Sequence, residues 1–174
     1  MKRENRNGRY ELESGDIEWY KDGLLHREDG PAWEASDGVL SWWVNGQLHR
    51  DSKPAVIHPD GRKEWYQNGL QHRENGPAIE YSNGCKEWWM HGQIHREDGP
   101  AREWSNGGKE WWMHGQIHRE DGPAIEYPDG DKEWWLSGVK YTEVEFNHWL
   151  SKKNLNEQLT KQLEVKPNEK KVKI

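Results

Sequence analysis

Apolar and polar positions alternate over short stretches of this chain, and the whole pattern returns every 23 residues. Cutting after each closing Asp-Gly or Asn-Gly gives five gapless units, 16–38, 39–61, 62–84, 85–107 and 108–130, with a partial sixth over 131–141. Each unit opens on an aromatic pair, as in Lys86-Glu87-Trp88-Trp89-Met90, and turns. It bends again at Asp98-Gly99-Pro100 and resumes with Ala101-Arg102-Glu103-Trp104. The stretches between turns are too short for helices, and a period of two is the signature of strands. Two tight-turn signals punctuate every unit. One is the closing pair (Asp37-Gly38 through Asp129-Gly130), and the other follows the aromatic pair (Asp22-Gly23, Asn45-Gly46, Asn68-Gly69, His91-Gly92, His114-Gly115). Such dipeptides supply the positive φ of type I′ hairpin turns. The pattern predicts an all-β repeat: an elongated, twisted antiparallel β-hairpin solenoid made of a single sheet. The string from Lys86 to Ala101 recurs letter for letter at 109–124. In such a stack every unit must present the same surface to its neighbours.

Alternation sorts the recurring residues into columns. Trp19, Trp42, Trp65, Trp88, Trp111 and Trp134 form one that never varies, expected to be the buried spine. The following position, Tyr20, Trp43, Tyr66, Trp89, Trp112 and Trp135, must face the other way. That second column either packs under charged side chains or forms a partly exposed ladder that binds a partner. Acidic columns run through Glu18, Glu64, Glu87, Glu110 and Glu133, and through Glu34, Glu80, Glu103 and Glu126. Unit two loses both together, to Ser41 and Ile57, and there Asp-Gly-Pro becomes Ser52-Lys53-Pro54. Joint loss suggests that the two columns serve one feature. Stacked carboxylates need cations, and Arg27, Arg50, Arg73, Arg96 and Arg119 recur in step, so Glu–Arg ladders are expected along one face. The candidate partner-binding set is Tyr66, Trp89, Trp112 and Trp135, with Glu64, Glu87, Glu110, Arg73, Arg96 and Arg119.

His26, His49, His72, His95 and His118 also recur, but each stands alone in its unit without a second ligand at metal-site spacing. They are expected to be structural, hydrogen-bonded and holding the Asp-Gly-Pro turn; no metal and no cofactor is predicted. Every carboxylate and histidine of the array is repeated, whereas an active site needs a unique, asymmetric constellation. No catalytic residue is assigned, and the chain is read as non-enzymatic.

Composition changes one point of this picture. Leu, Ile, Val and Phe together make up only 26 of 174 residues, yet thirteen Trp and six Tyr supply apolar area. A buried aromatic removes about 150–250 Å² from water, so an aromatic core is expected instead of disorder. Net charge is −6. The start lacks an apolar signal stretch and no run reaches membrane-span length, so a cytoplasmic location is expected, in the producing cell or an infected host. Cys85 stands alone, which excludes a disulfide framework.

From Thr142 the turn signals stop. Residues 1–141 are read as the repeat array and 142–174 as a short α-helical C-terminal cap with a polar tail. Thr142 and Glu145 form a capping box ahead of Phe146, Trp149 and Leu150. Asn154 is expected to cap a second helix carrying Leu155, Leu159 and Leu163. These helices either cover the last sheet edge or pair with a partner, a second copy of the chain included.

The 23-residue period, the aromatic opening strand, the Asn-Gly-type turn and the closing Asp-Gly resemble MORN-type β-hairpin repeats, including bacterial variants known as antitoxin components. The likeness spans residues 9–141. The family's mid-repeat Gly-x-Gly is replaced here, as at Asp98-Gly99-Pro100-Ala101. The W-x-N-G-x-x-H-R-E-D-G-P-A pattern is also similar to one recurring in bacterial and phage proteins. The resemblance implies a scaffold or binding role and no chemistry. With the acidic body, it leads to the expectation of a protein-binding module, antitoxin-like or phage-encoded, that blocks a basic nucleic-acid-handling protein. Direct nucleic-acid binding and membrane association are not expected. The alternatives are nucleotide or sugar binding along the aromatic ladder, and a structural spacer.

Overall fold

The computed structural model describes residues 6–164. Two strands of every unit join one open antiparallel sheet. In unit four these are Lys86–Glu87 and Arg102–Glu103, and Lys109–Glu110 of unit five pairs next. Thirteen strands follow one another in chain order from Gly8–Glu11 to Val139–Tyr141. Leu24–Leu25 joins as a fourteenth, beside Ile17–Lys21. Every partner along that path is the nearest available in sequence, because tight turns leave the chain no other way to satisfy its backbone.

The opening strand does not run straight through its aromatic pair. It corners at the first tryptophan: the Trp88 amide donates to the Ala101 carbonyl at 2.8 Å, while the Trp88 carbonyl accepts from the His95 amide at 3.1 Å. Beyond the corner Trp89–Met90 pairs with Gln93–Ile94 as a separate small hairpin, and units two, three and five repeat the move. Neighbouring hairpins are bonded in turn. The Arg73 amide donates to the Trp89 carbonyl at 3.2 Å, and the Gly92 amide to the Gln71 carbonyl at 2.9 Å. The array therefore has two parallel ladders, the main sheet and a file of hairpins.

The most enclosed positions are Ala32, Ala55, Ala78, Ala101 and Ala124, each 0% exposed. The Ala101 carbonyl is held by its own unit, and its amide donates to the Glu110 carbonyl of the next at 2.8 Å. An alanine methyl thus marks each junction between units. The unvarying tryptophans, by contrast, are not a buried spine. Only Trp65 is buried, at 7% exposure, and the other five are half-buried. The second column is no different, with Tyr20 buried and the rest half-buried. A one-layer sheet has no inside, so each ring is covered on its own face by the nearest long side chain.

The turns after the aromatic pairs have two consecutive positive-φ residues, for example Asn45 (50°) with Gly46 (77°), as type I′ requires. The closing turns differ from expectation. There only the glycine is positive, as at Gly84 (89°), and the preceding side chain closes the turn: Asn83 Oδ1 accepts from the Cys85 amide at 3.0 Å.

After the last strand comes a single helix, α1 (Glu143–Glu164). The capping box forms as expected: the Thr142 amide donates to Glu145 Oε2 at 2.9 Å, and the Glu145 amide to Thr142 Oγ1 at 3.2 Å. Asn154 caps nothing, because it lies inside this helix. Neither Gly nor Pro interrupts the stretch, and asparagine inside a helix costs well under ~1 kcal/mol. Phe146 is buried at the contact with the last two strands, whereas Leu155, Leu159 and Leu163 are exposed. The cap thus covers the sheet end with its first turns only. The expected tail from 165 onward lies outside the described residues.

Candidate interaction faces

On one face each arginine lies flat on the first tryptophan of its unit. Guanidinium-to-ring distances are 4.1 Å for Arg27–Trp19, 3.8 Å for Arg73–Trp65, 4.0 Å for Arg96–Trp88 and 3.9 Å for Arg119–Trp111. The same guanidinium ties down the bend that follows. Arg96 Nη1 donates to the Pro100 carbonyl and to Glu103 Oε1, both at 3.1 Å, and Nε donates to Asp98 Oδ1 at 2.8 Å. Charge-assisted contacts of this kind hold the Asp98 carboxyl below its ordinary value, and the Arg119 bond does the same for Asp121. The glycine of Asp-Gly-Pro packs closely against this group: a Cβ at Gly99 would lie 3.0 Å from Arg96 Cζ.

The first acidic column lies on the opposite face, with the second aromatic column. Residues two apart in a strand share a face, and here they bond. The Trp89 indole donates to Glu87 Oε2 at 2.9 Å, and Trp112 and Trp135 do the same to Glu110 and Glu133. The Tyr66 hydroxyl donates to Glu64 Oε2 at 3.0 Å. Burial and then the Glu64 charge push the Tyr66 hydroxyl up to about 12. Arg62 lies 3.1 Å from Glu64, and Arg102 lies 3.4 Å from Glu87 and 3.5 Å from Glu110. The expected Glu–Arg ladder is therefore two separate systems, one per face, and the repeating arginines serve only the Glu34 column. The joint loss in unit two serves no common feature. Ser41 Oγ takes over as acceptor of the Trp43 indole at 2.6 Å, while Ile57 removes a carboxylate on the other face.

The candidate set from the sequence is thus divided. Glu64, Glu87, Glu110, Tyr66, Trp89, Trp112 and Trp135 share one face, with their polar groups bonded to one another. Arg73, Arg96 and Arg119 lie on the other face and are held by Glu80, Glu103 and Glu126 at 2.8, 3.1 and 3.0 Å. The histidines are structural; at the expected bend Nε2 of His26 and His49 lies 3.4 and 3.2 Å from Glu28 and Asp51, and Nδ1 holds a second turn. Nδ1 of His72 accepts the His91 amide at 3.2 Å, and His26, His49, His95 and His118 accept the corresponding amide of the following unit. Each histidine therefore pins the next unit's hairpin turn. Among the described residues no group of three His, Cys, Asp or Glu is placed to hold a metal.

Sequence columns missed the side chains most available to a partner. At the bend after each histidine, Glu28, Asp29, Asp51, Glu74, Glu97, Asp98 and Asp121 are all exposed, forming a carboxylate row with one station per unit. Two sheet strands per unit set the station spacing at roughly 10 Å. At the fifth station the row is occupied: Lys153 of α1 forms an ion pair with Glu120. Exposure drops accordingly, from about 80% for Glu28 and Glu97 to 46% for Glu120. The signal is legible as His-Arg-Glu-Asp in the repeat, but its acids vary from unit to unit more than the columns do.

No helix among the described residues is long and apolar enough to cross a membrane. Comparison with protein-family models and with curated proteins gives no match for this chain.

Proposed function

We propose that this chain is a non-enzymatic protein-binding module that docks a basic protein along its row of exposed carboxylates. The observation that carries this reading is the Lys153–Glu120 pair. The chain's own helix already seats a lysine on one station, and the other stations offer the same chemistry to lysines or arginines of another molecule. Such pairs are worth little singly, about 0–1 kcal/mol at an exposed site. A row acts by steering encounter and by engaging several stations together. Proteins that handle nucleic acid carry basic grooves built for rows of negative charge, which makes them the class best suited as target. Blocking such a groove would make the module inhibitor-like, in keeping with the resemblance to antitoxin-type MORN variants. The half-buried aromatics on both faces stiffen the strip, so little conformational freedom would be lost on docking.

The test is association kinetics against the basic partner recovered by affinity capture, at two salt concentrations. Glu74→Lys with Glu97→Lys should slow association by at least about tenfold at low salt. The difference should shrink as the screening length falls from about 10 Å at 0.1 M to about 3 Å at 1 M. An unchanged association rate in the folded variant would remove the carboxylate row as the docking element. One observation favours the small-ligand reading at a single place. A groove of about 540 Å³ on the Glu face of unit two is lined by Trp33, Trp43, Leu48, Val56 and Tyr66 around Ser41.

A further inference from the structure

Unit two departs from its sisters at the arginine bend, and the departure leaves an arginine-lined notch. Where the other bends have glycine beneath the guanidinium, unit two has Lys53, and Ser52 before it swings to φ 57°. The sister arginines keep a carboxylate on Nη1, from Glu34, Glu80, Glu103 or Glu126, and in three units a second on Nε, from Asp29, Asp98 or Asp121. Arg50 has neither, since Ser52 and Ile57 stand in those places. Among the described residues the one hydrogen bond of its guanidinium runs from Nη1 to the Pro54 carbonyl at 3.1 Å. It is also the arginine closest to its tryptophan, 3.6 Å from Trp42. The adjoining Arg73 retains Glu80 on Nη1, but at its Nε edge Asn75 replaces the aspartate.

These two guanidinium groups line one polar notch of about 300 Å³ between units two and three, together with Ser52, Trp65, Gln67, His72, Glu74 and Asn75. Two arginines face one carboxylate here. In the next notch along, Arg73 and Arg96 face Glu74, Glu97 and Asp98. The lining carboxylates thus fall from three to one at this place in an acidic array. His72 adds a donor. Its Nδ1 accepts the His91 amide, so the neutral ring has its proton on Nε2. The other four histidines have a carboxylate within 4.0 Å of Nε2; among the described residues His72 has none.

We propose that the notch between units two and three binds a phosphoryl oxyanion, as inorganic phosphate or a phosphate monoester. The chemistry favours this class over a carboxylate. Arg50 and Arg73 offer fork edges suited to bidentate contact with a phosphoryl group. Ser52, Gln67, His72 and Asn75 surround those edges with neutral donors, more than a two-oxygen anion can engage. Trp42 and Trp65 beneath the guanidinium groups fix their planes before any ligand arrives.

The experiment uses the full chain and inorganic phosphate, with acetate as the carboxylate arm, at constant ionic strength balanced by chloride. Tryptophan fluorescence and calorimetric titration read binding. Phosphate is expected to give a saturable response of one site per chain, with acetate at least about tenfold weaker. The decisive variant is Ser52→Asp with Ile57→Glu, which restores to Arg50 the internal carboxylates of its sisters. It should fold and melt no lower than the parent, and lose phosphate affinity by at least about tenfold. Arg50→Gln should lose it as well, with circular dichroism confirming the fold. No saturable phosphate response, acetate binding as well as phosphate, or unchanged affinity in the restored double variant would each overturn the proposal.

Discussion

Tyr66 shows how a side chain becomes structural in a sheet one layer thick. Its ring covers part of the Glu face, its hydroxyl donates to Glu64, and Gln71 Nε2 donates back to that oxygen at 3.2 Å. Burial disfavours the phenolate, and ionising it would also place a second negative charge beside the Glu64 carboxylate, which is why its folded-state value rises to about 12. The linkage follows from the sign of that shift. A group that holds its proton more tightly when folded contributes its stability fully below the unfolded value of about 10. That contribution is lost as pH rises through the folded value. Thermal melts from pH 9 to 12 should therefore show a steeper fall for the parent chain than for Tyr66→Phe. Absorbance at 295 nm should show one late-titrating tyrosine fewer in the variant. Parallel melting curves would mean that Tyr66 ionises as freely folded as unfolded.

At the scale of elements, sequence made the strands and turns legible because both depend on nearest neighbours in the chain. The aromatic hairpins, their type I′ turns and the Thr142 capping box are all local and formed as the residues imply, whereas the closing turns did not take the type I′ form. What could not be read was the direction of cover. Alternation says that Trp88 and Trp89 face opposite ways, but in a single layer neither way is inward. Invariance of the first column reflects its arginine lid, not depth. The second helix failed for a related reason. Leu155, Leu159 and Leu163 restart an apolar spacing after Asn154, yet nothing between them and Trp149 breaks a helix. The bend at Asp-Gly-Pro is the element whose logic the sequence does not show, since its glycine packs against the guanidinium of its own unit. Gly99→Ala puts a methyl 3.0 Å from Arg96 Cζ and should lift Arg96 from Trp88. The expected loss is about 1–3 kcal/mol, the usual cost of overpacking. In chemical denaturation Gly107→Ala is the natural comparison. It has open space around it but a φ of 93°, so its cost comes from backbone strain alone. If Gly99→Ala is neutral, the lid is loose and the recurrence of glycine at every bend but that of unit two needs another cause.

Across the whole molecule, contacts join each unit to its immediate neighbours, so stability should behave as a sum of unit and junction contributions. Removing residues 85–107 tests this directly. The cut joins Gly84 to Gly108, and the incoming Lys109-Glu110-Trp111-Trp112 has the same residues as the Lys86-Glu87-Trp88-Trp89 it replaces. Every junction bond has a ready successor: the Arg73 amide can meet the Trp112 carbonyl in place of Trp89, and the Gly115 amide can meet Gln71 in place of Gly92. His72 can accept the His114 amide, and Ala78 and Glu87 contacts are replaced through Ile79 and Glu110. The shortened chain should fold, keep its β-type circular dichroism, and unfold in one transition. Because the denaturant dependence follows the surface exposed, its slope should fall by about an eighth, in line with the share of chain removed. Removing residues 93–103 instead deletes a hairpin arm and a sheet strand while leaving their partners, and should abolish cooperative unfolding. If the in-phase deletion unfolds the protein as thoroughly as the out-of-phase one, the array is held by something beyond its nearest-neighbour junctions.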